Sequence, residues 1–195
     1  MMEYDGLLSL DRLERAVEKV RDRLLRSTAA LEAAGVPYAV IGGNAVMAWV
    51  EQADESAVRF TQDVDLVLRR EDLDRARVAL EQAGFIYRRA AGIEMFLDGP
   101  AAKARDAVYV IFAGERVRPE YVAPVPDVAE SVSFASYRVL SLEAVVRMKL
   151  TSYRDKDKMH VRDMIEVGLV DATWPARYPP ELAARLQHLL DTPDG

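Results

Sequence analysis

The chain contains the run Tyr38-Ala39-Val40-Ile41-Gly42-Gly43-Asn44-Ala45 and, further along, the run Thr61-Gln62-Asp63-Val64-Asp65-Leu66-Val67-Leu68. These two runs indicate the architecture. The apolar residues of the first stretch suit a short buried strand. The two glycines then turn the chain sharply, and Asn44, a residue type that favours helix N-caps, begins a helix. The second stretch predicts another buried strand. We therefore expect two strands linked by a turn, a helix and a polar loop.

Two carboxylates lie on the second predicted strand. Side chains alternate between the faces of a strand, so Asp63 and Asp65 point to the same side. At roughly 6–7 Å apart they repel each other unless a cation lies between them. Mg²⁺ prefers such oxygen ligands and keeps positions for phosphate oxygens. The alternative is that Asp63 only starts the strand and that Asp65 is a solvated edge residue.

The glycine turn is the second candidate for a functional site. Gly42 and Gly43 allow the backbone to approach a ligand closely, and the following helix start offers free N–H groups to a phosphate. A plain strand-to-helix turn is the alternative. The sequence contains neither the Gly-x-Gly-x-x-Gly dinucleotide fingerprint nor the Gly-Lys-Ser/Thr of a phosphate-binding loop.

The rest of the chain predicts a single domain, residues 1–195, of the α/β (α+β) class. A stripe formed by Leu10, Leu13, Val17, Val20, Leu24 and Leu31 predicts an N-terminal helix within residues 1–35. Residues 141–195 are expected to form C-terminal helices. Between them a mixed sheet is expected, with helices on one side. The other predicted elements are a loop at 51–62, helices at 71–83, 142–150, 159–167 and 181–190, and strands at 85–87, 93–97, 107–112 and near 132.

Composition narrows the functional classes. The 195 residues are 50% hydrophobic and 30% charged, which is typical of a globular protein. The absence of cysteine excludes disulfides and thiolate metal sites. A net charge of −6 disfavours broad binding of duplex DNA. We expect no membrane span and, since the N-terminus lacks a basic flank before an apolar run, no signal peptide. A cytoplasmic protein is therefore expected.

The order of strand, Gly-Gly turn, helix, loop and Asp-x-Asp strand resembles the polymerase-beta-like nucleotidyltransferase superfamily. The resemblance implies that Gly42 and Gly43 help to hold a nucleoside triphosphate, with Asn44 beside them. It implies that Asp63 and Asp65 bind Mg²⁺, or Mn²⁺ in its place. Arg59-Phe60-Thr61 is similar to the Arg-x-Thr lead of that superfamily, which adds Thr61 to the expected nucleotide site.

A second segment resembles a narrower group. Residues 146–157 and 160–164 are similar to the Lys-containing helix and Arg-x-Lys-Asp segment of small nucleotidyltransferases related to abortive-infection and toxin–antitoxin proteins. This resemblance implies that Lys149, with Asp155 or Asp157, handles the nucleotide. As a point charge, Lys149 could meet a phosphate. Alternatively, Lys149 is an exposed helix residue and Asp157 pairs with neighbouring cations. His160 is expected at the surface.

The superfamily normally carries a third carboxylate on a later strand, and this sequence departs from that pattern. Asp106 begins the candidate strand, and the positions in the middle of that strand are apolar or Tyr. Asp106 is the candidate for the third catalytic residue, and Glu94 on another strand is the alternative. Without either residue near the metal, the general base is missing and nucleotide binding would occur without efficient transfer.

Three functions remain open at the level of sequence. The leading one is a Mg²⁺-dependent enzyme that transfers a nucleoside monophosphate from an NTP to a protein side chain, an RNA end or a small molecule. The second is a degenerate nucleotide-binding protein, or one member of a toxin–antitoxin or defence pair. The third is a structural protein that forms homo-oligomers through its long first helix.

Overall fold

The computed structural model describes residues 3–57 and 59–193, without the side chains of residues 3–11 and 13. Thus the predicted stripe positions Leu10 and Leu13 lie outside the described side chains. The helices are α1 (Glu3–Ala33), α2 (Gly42–Ala53), α3 (Leu73–Gln82), α4 (Leu142–Ser152), α5 (Asp155–Glu166) and α6 (Pro180–Asp191). The strands are β1 (Tyr38–Ile41), β2 (Val64–Leu68), β3 (Ile86–Ala90), β4 (Ile93–Leu97), β5 (Ala107–Phe112), β6 (Ser131–Ser133) and β7 (Arg138–Leu140).

The seven strands form one mixed sheet in the order β3-β4-β5-β2-β1-β7-β6. The central strand β2 is antiparallel to β1 and parallel to β5, and β1 is parallel to β7. The predicted α/β class, with a mixed sheet and the strand–turn–helix–strand core, is confirmed. In this order β2 lies between β1 and β5, so residues from both neighbours surround its carboxylates.

The core follows the alternation of β2. Val64, Leu66 and Leu68 are fully buried, and α1 contacts β2. Leu24 and Leu31 of α1 belong to the same hydrophobic cluster as residues of the C-terminal helices. Helices α4, α5 and α6 pack against one another, and α2 contacts α4 and α5. None of the described helices is both long and apolar enough to cross a membrane.

Several predicted boundaries are wrong. Helix α2 starts at Gly42 and continues to Ala53, so its N-cap is Ile41 rather than Asn44 and the polar loop is shorter than expected. Helix α5 begins at Asp155, because Asp155 and Asp157 in its first turn are favourable near the N-terminal end of the helix dipole. Strand β7 was not predicted, since it is short and follows an irregular segment.

Candidate functional site

The two glycines at the start of α2 are in contact with the carboxylate strand and the segment before it. Gly42 has a φ of +69°, in the left-handed region, and a Cβ there would overlap the carboxylate of Asp65. A Cβ at Gly43 would lie 2.7 Å from Thr61 Oγ1. Any side chain at either position would therefore displace a predicted site residue. This steric conflict explains why both positions are occupied by glycine.

Asn44 fixes the backbone next to the carboxylates instead of capping α2. It is buried in the first turn of the helix, and its Nδ2 donates a hydrogen bond of 2.6 Å to the carbonyl oxygen of Asp63. Its Oδ1 and the Oγ1 of Thr61 are buried and have no hydrogen-bond partner in the described part of the chain. Two buried polar atoms beside the glycine turn are thus without a partner in the described part of the chain.

Asp63 and Asp65 lie on the same side of β2, as their spacing predicts. Asp65 is paired with Ile41 on β1 and with Tyr109 on β5. Burial, together with the nearby charge of Asp63, raises the pKa of Asp65 to about 6. The Nζ of Lys156 lies 3.9 Å from Asp63 Oδ2, and both side chains are about half exposed.

A divalent cation fits this pair of carboxylates only if a ligand completes its coordination. The two Asp residues offer hard oxygen donors. Burial and the charge of Asp63 raise the pKa of Asp65, and a bound cation would offset both effects by stabilising the ionised carboxylate. Among the described residues, no group of three or more His, Cys, Asp or Glu could hold a metal ion. Asp63 and Asp65 therefore suit a metal that is shared with phosphate oxygens, as Mg²⁺ commonly is.

The structure does not bring either candidate third carboxylate to this pair. Tyr109 is the β5 residue opposite Asp65. Asp106 ends a short 3-10 helix just before β5, and its carboxylate pairs with Arg23 of α1 at 3.6 Å. Glu94 lies opposite Val110 of β5, on the other face of the sheet from Tyr109. The predicted catalytic role of Asp106 is thus corrected, because Asp106 lies before β5 and pairs with Arg23, while Tyr109 occupies the position opposite Asp65.

Glu94 is further held by its own partners. It is buried, accepts a hydrogen bond of 2.7 Å from the hydroxyl of Tyr87, and pairs with Arg89 at 3.2 Å. These contacts satisfy a buried carboxylate within strands β3 and β4. Glu94 therefore has a structural explanation and does not serve as the substitute.

A buried ion-pair network joins α4 to α5 beside the carboxylate strand. Asp157 accepts hydrogen bonds from Lys149 Nζ (3.2 Å), Ser152 Oγ (2.8 Å) and Arg154 Nε (2.8 Å). Burial by itself raises the pKa of Asp157, but these donors and the charge of Lys149 outweigh it and lower that pKa to about 2. Asp157 therefore stays ionised and holds the Lys149 ammonium in place. Lys149 is buried, contrary to the alternative of an exposed helix residue.

The other two polar predictions in this segment have different outcomes. Asp155 is exposed and pairs with Lys158 at 3.1 Å, so of the two Asp candidates only Asp157 contacts Lys149. The expected surface position of His160 is wrong, because the imidazole is buried on the inner side of α5. Burial and the positive charge of Lys149 lower the pKa of His160 to about 4, so the ring is neutral near pH 7.

A cavity of about 350 Å³ lies over Asp65. Its polar lining consists of Gly42, Asp65, Lys149, Arg154 and Asp157 together with Thr151 and Ser152. Its larger apolar part comes from separate segments: Ile41, Ile93, Tyr109, Val110, Ile111, Val117, Tyr121, Ala123, Pro124, Val125, Val145 and Met148. Sequence reasoning missed this wall, since its residues look like ordinary core positions until the sheet and α4 are assembled. The cavity thus combines a charged part with a larger apolar part, as ligand-binding cavities commonly do.

Comparisons with known proteins bear on the fold. The sequence matches no protein-family model, and no curated protein matches it. Among solved structures, it is similar to an antigenic nucleotidyltransferase-like protein from Paracoccidioides brasiliensis, with a TM-score of 0.56 and 21% identity over 88% of each chain.

Two further solved structures are more distant. JHP933 from Helicobacter pylori has a TM-score of 0.49 and 16% identity, over 93% of this chain and 76% of that one. ANT(2'')-Ia in complex with adenylyl-2''-tobramycin has a TM-score of 0.45 and 17% identity, over 86% of this chain and 92% of that one. On the first of the three similarities, the chain has a nucleotidyltransferase-like fold.

Proposed function

We propose that this protein is a Mg²⁺-dependent nucleotidyltransferase that transfers a nucleoside monophosphate from an NTP to an acceptor hydroxyl. The observation that carries the proposal is the contact between the Gly42 turn and Asp65, at the floor of a cavity that also contains Lys149. This arrangement joins a phosphate-binding backbone, a pair of metal-binding carboxylates and a buried ammonium group. A nucleotidyltransferase-like fold is compatible with it but does not by itself assign an activity.

The chain's own residues would bind and orient the triphosphate. The backbone N–H groups at the start of α2 face outward from a helix N-terminus, which favours phosphate oxygens. The unpartnered Thr61 Oγ1 and Asn44 Oδ1 lie next to that turn. Lys149 and Arg154 supply positive charge to the lining of the same cavity as Gly42. The apolar wall leaves room for the nucleoside or for the acceptor.

Asp63 and Asp65 would hold the metal. When bound, Mg²⁺ would neutralise charge on the phosphate oxygens and favour attack at the α-phosphorus. In the transfer, the acceptor oxygen bonds to the α-phosphorus while the bond to the β-phosphate oxygen breaks. Pyrophosphate leaves, and the hydroxyl proton passes to solvent in the open cavity. Asp157 keeps Lys149 in position throughout.

A second candidate function is nucleotide binding without efficient transfer, and the position of Tyr109 favours it. Tyr109 occupies the β5 position opposite Asp65, where a third carboxylate would have to lie. Its hydroxyl donates a hydrogen bond of 2.9 Å to the carbonyl oxygen of Ala104. This bond holds the Tyr109 side chain against the segment that precedes β5. Membership of the toxin–antitoxin branch, a protein partner and a cytoplasmic location stay predictions.

Incubation with α-³²P-labelled NTPs and Mg²⁺ tests the transfer. Transfer of the label to the protein or to an added acceptor would be followed in wild type, Lys149→Met and the control Asp155→Asn, whose exposed side chain does not line the cavity. We expect Mg²⁺-dependent turnover in wild type and the control, and at least a 10-fold loss in Lys149→Met. Metal-dependent NTP binding with no turnover on RNA, protein or small-molecule acceptors would favour the second function.

A further inference from the structure

A second cavity, of about 430 Å³, lies between the first half of α1 and the start of β5. It shares no lining residue with the cavity over Asp65. The lining residues are Arg12, Arg15, Ala16, Lys19, Val20, Arg23, Gln62, Arg105 and Asp106, and this set is called the basic cleft below. The proposed nucleotide site uses none of them.

The charge of the basic cleft is opposite to that of the whole protein. Five lining side chains are cationic and one is a carboxylate, whereas the chain carries a net charge of −6. Arg23 is buried and is neutralised by Asp98 at 3.3 Å and Asp106 at 3.6 Å. The other four cations are exposed. Like charges gathered in one concave surface attract anions and raise their local concentration.

The spacing of these cations suits a ligand with several phosphates. Arg12, Arg15, Lys19 and Arg23 follow one another at three- and four-residue steps, so they lie along one face of α1. Arg23 is already paired, so the row of exposed cations runs from Arg12 to Lys19 and is roughly 10 Å long at 1.5 Å per residue. A single phosphate cannot reach all of it, whereas successive phosphates of a nucleic-acid strand can.

The remaining lining explains what the basic cleft would recognise. The described lining carries no aromatic side chain on which a base could stack, and its apolar residues are Ala16 and Val20. Contacts would therefore be to the phosphate backbone and would be independent of sequence. Binding of a duplex needs a broad basic face, which the net charge disfavours, so a single strand is the better fit.

The basic cleft reaches the strand that carries the carboxylate pair. Arg23 Nη1 donates to the carbonyl oxygen of Gln62 at 3.4 Å, and Gln62 immediately precedes Asp63. Asp106 immediately precedes β5, which pairs with β2. The basic cleft and the carboxylates thus lie near the same ends of the parallel strands β2 and β5. A nucleic-acid strand held in the basic cleft could therefore pass around these ends of the β-strands.

We propose that the basic cleft binds the phosphate backbone of single-stranded nucleic acid and directs its end toward Asp63 and Asp65. The binding itself is independent of catalysis, and only the role of the bound strand as acceptor rests on the proposed function. The proposal assigns α1 a function in substrate binding that the resemblance does not imply.

Fluorescence anisotropy tests the binding without NTP or metal. The probes are a labelled 12-nucleotide RNA, DNA of the same sequence, the corresponding duplex and an oligoglutamate peptide. Arg15→Glu/Lys19→Glu is compared with Arg21→Glu/Arg88→Glu, which changes the net charge equally at exposed positions outside the basic cleft. We expect the first double variant to weaken binding of the single strand at least 10-fold. Loss of two phosphate contacts should also reduce the salt slope by roughly 1.4.

The control variant should bind within about threefold of wild type, since the charges it reverses lie outside the basic cleft. The relative affinities of RNA and DNA identify which nucleic acid is the ligand. Equal weakening in both double variants, preference for the peptide or the duplex, or no binding of either single strand would overturn the proposal. Asp63→Asn/Asp65→Asn should retain single-strand binding, so failure of the nucleotide site is distinguished from failure of the basic cleft.

Discussion

Gly42 and Asp65 are in direct contact across the turn that joins β1 to α2, with no room for a Cβ between them. Gly42→Ala should therefore displace the carboxylate and weaken metal-dependent NTP binding at least 10-fold. The left-handed backbone adds strain, so we expect a loss of about 1–3 kcal/mol in the free energy of unfolding. Calorimetric titration and urea denaturation measure the two effects.

Gly168→Ala provides the matched control for this substitution. Gly168 has a φ of +74°, close to that of Gly42, but a Cβ there meets nothing within 4 Å. It should therefore show similar backbone strain with unchanged NTP binding. Equal loss of binding in the two variants would mean that general destabilisation, rather than displacement of Asp65, is responsible.

The buried pair Lys149–Asp157 should contribute strongly to stability. Asp157→Asn leaves the Lys149 charge without its buried counterion, and we expect a loss of about 3–5 kcal/mol in the free energy of unfolding. Adding Lys149→Met removes that unpaired charge, so the double variant should be more stable than the sum of the single losses predicts, by about 1–3 kcal/mol. Urea denaturation of the four proteins gives this coupling. Additive losses would show that the pair does not act as a unit.

His160 should make the protein less stable in mild acid. The folded pKa of about 4 lies below the ordinary value of 6.5, so the unfolded chain binds more protons between these pH values. Stability attributable to His160 is therefore present above pH 6.5 and is lost as the pH falls toward 4, by about 3 kcal/mol.

Substitution by Gln isolates this effect from other titrating groups. Asp65 has a raised pKa and shifts stability in the opposite direction over the same range, so the comparison is between variants and wild type. His160→Gln should gain stability relative to wild type as the pH falls from 6.5 to 4, because it lacks the loss due to His160, whereas His188→Gln, at the exposed second histidine, should follow wild type. Urea denaturation at each pH is the measurement. Identical pH profiles for wild type and His160→Gln would be inconsistent with a buried neutral imidazole.

Tyr109 marks the position at which a third carboxylate would join the metal site. Tyr109→Asp places an oxygen ligand opposite Asp65, and we expect it to increase Mn²⁺ affinity at least fivefold in the absence of nucleotide. Ile93→Asp adds the same charge at an exposed position of the cavity and controls for general electrostatic attraction. Manganese titration followed by electron paramagnetic resonance reports free metal. An equal increase in Mn²⁺ affinity in both variants would show that the position opposite Asp65 has no special role in metal binding.

The local part of the site could be predicted from the sequence. Strand alternation alone puts Asp63 and Asp65 on one side, and the apolar residues between them require a buried strand. The Gly-Gly turn and its helix also follow from local residue preferences. The α/β class with a mixed sheet follows because these signals recur along the chain.

The long-range part could not be predicted. Whether Asp106 reaches Asp65 depends on the register of β5 against β2, and one residue of shift moves a side chain to the other face. The burial of His160 depends on which side of α5 packs inward, and the charged run at its start concealed where that helix begins. Likewise, the basic cleft exists only because α1 packs beside the start of β5.

Calorimetric titration of each NTP in the presence of Mg²⁺, with wild type and Asp63→Asn/Asp65→Asn, tests whether Asp63 and Asp65 form the metal–nucleotide site. Because both carboxylates are replaced by neutral groups of similar shape, the fold should persist. We predict Mg²⁺-dependent binding of at least one NTP to wild type and its loss in the double variant. Binding that is unchanged in the double variant, or no NTP binding by the folded wild type, would contradict the assignment of this strand as the metal–nucleotide site.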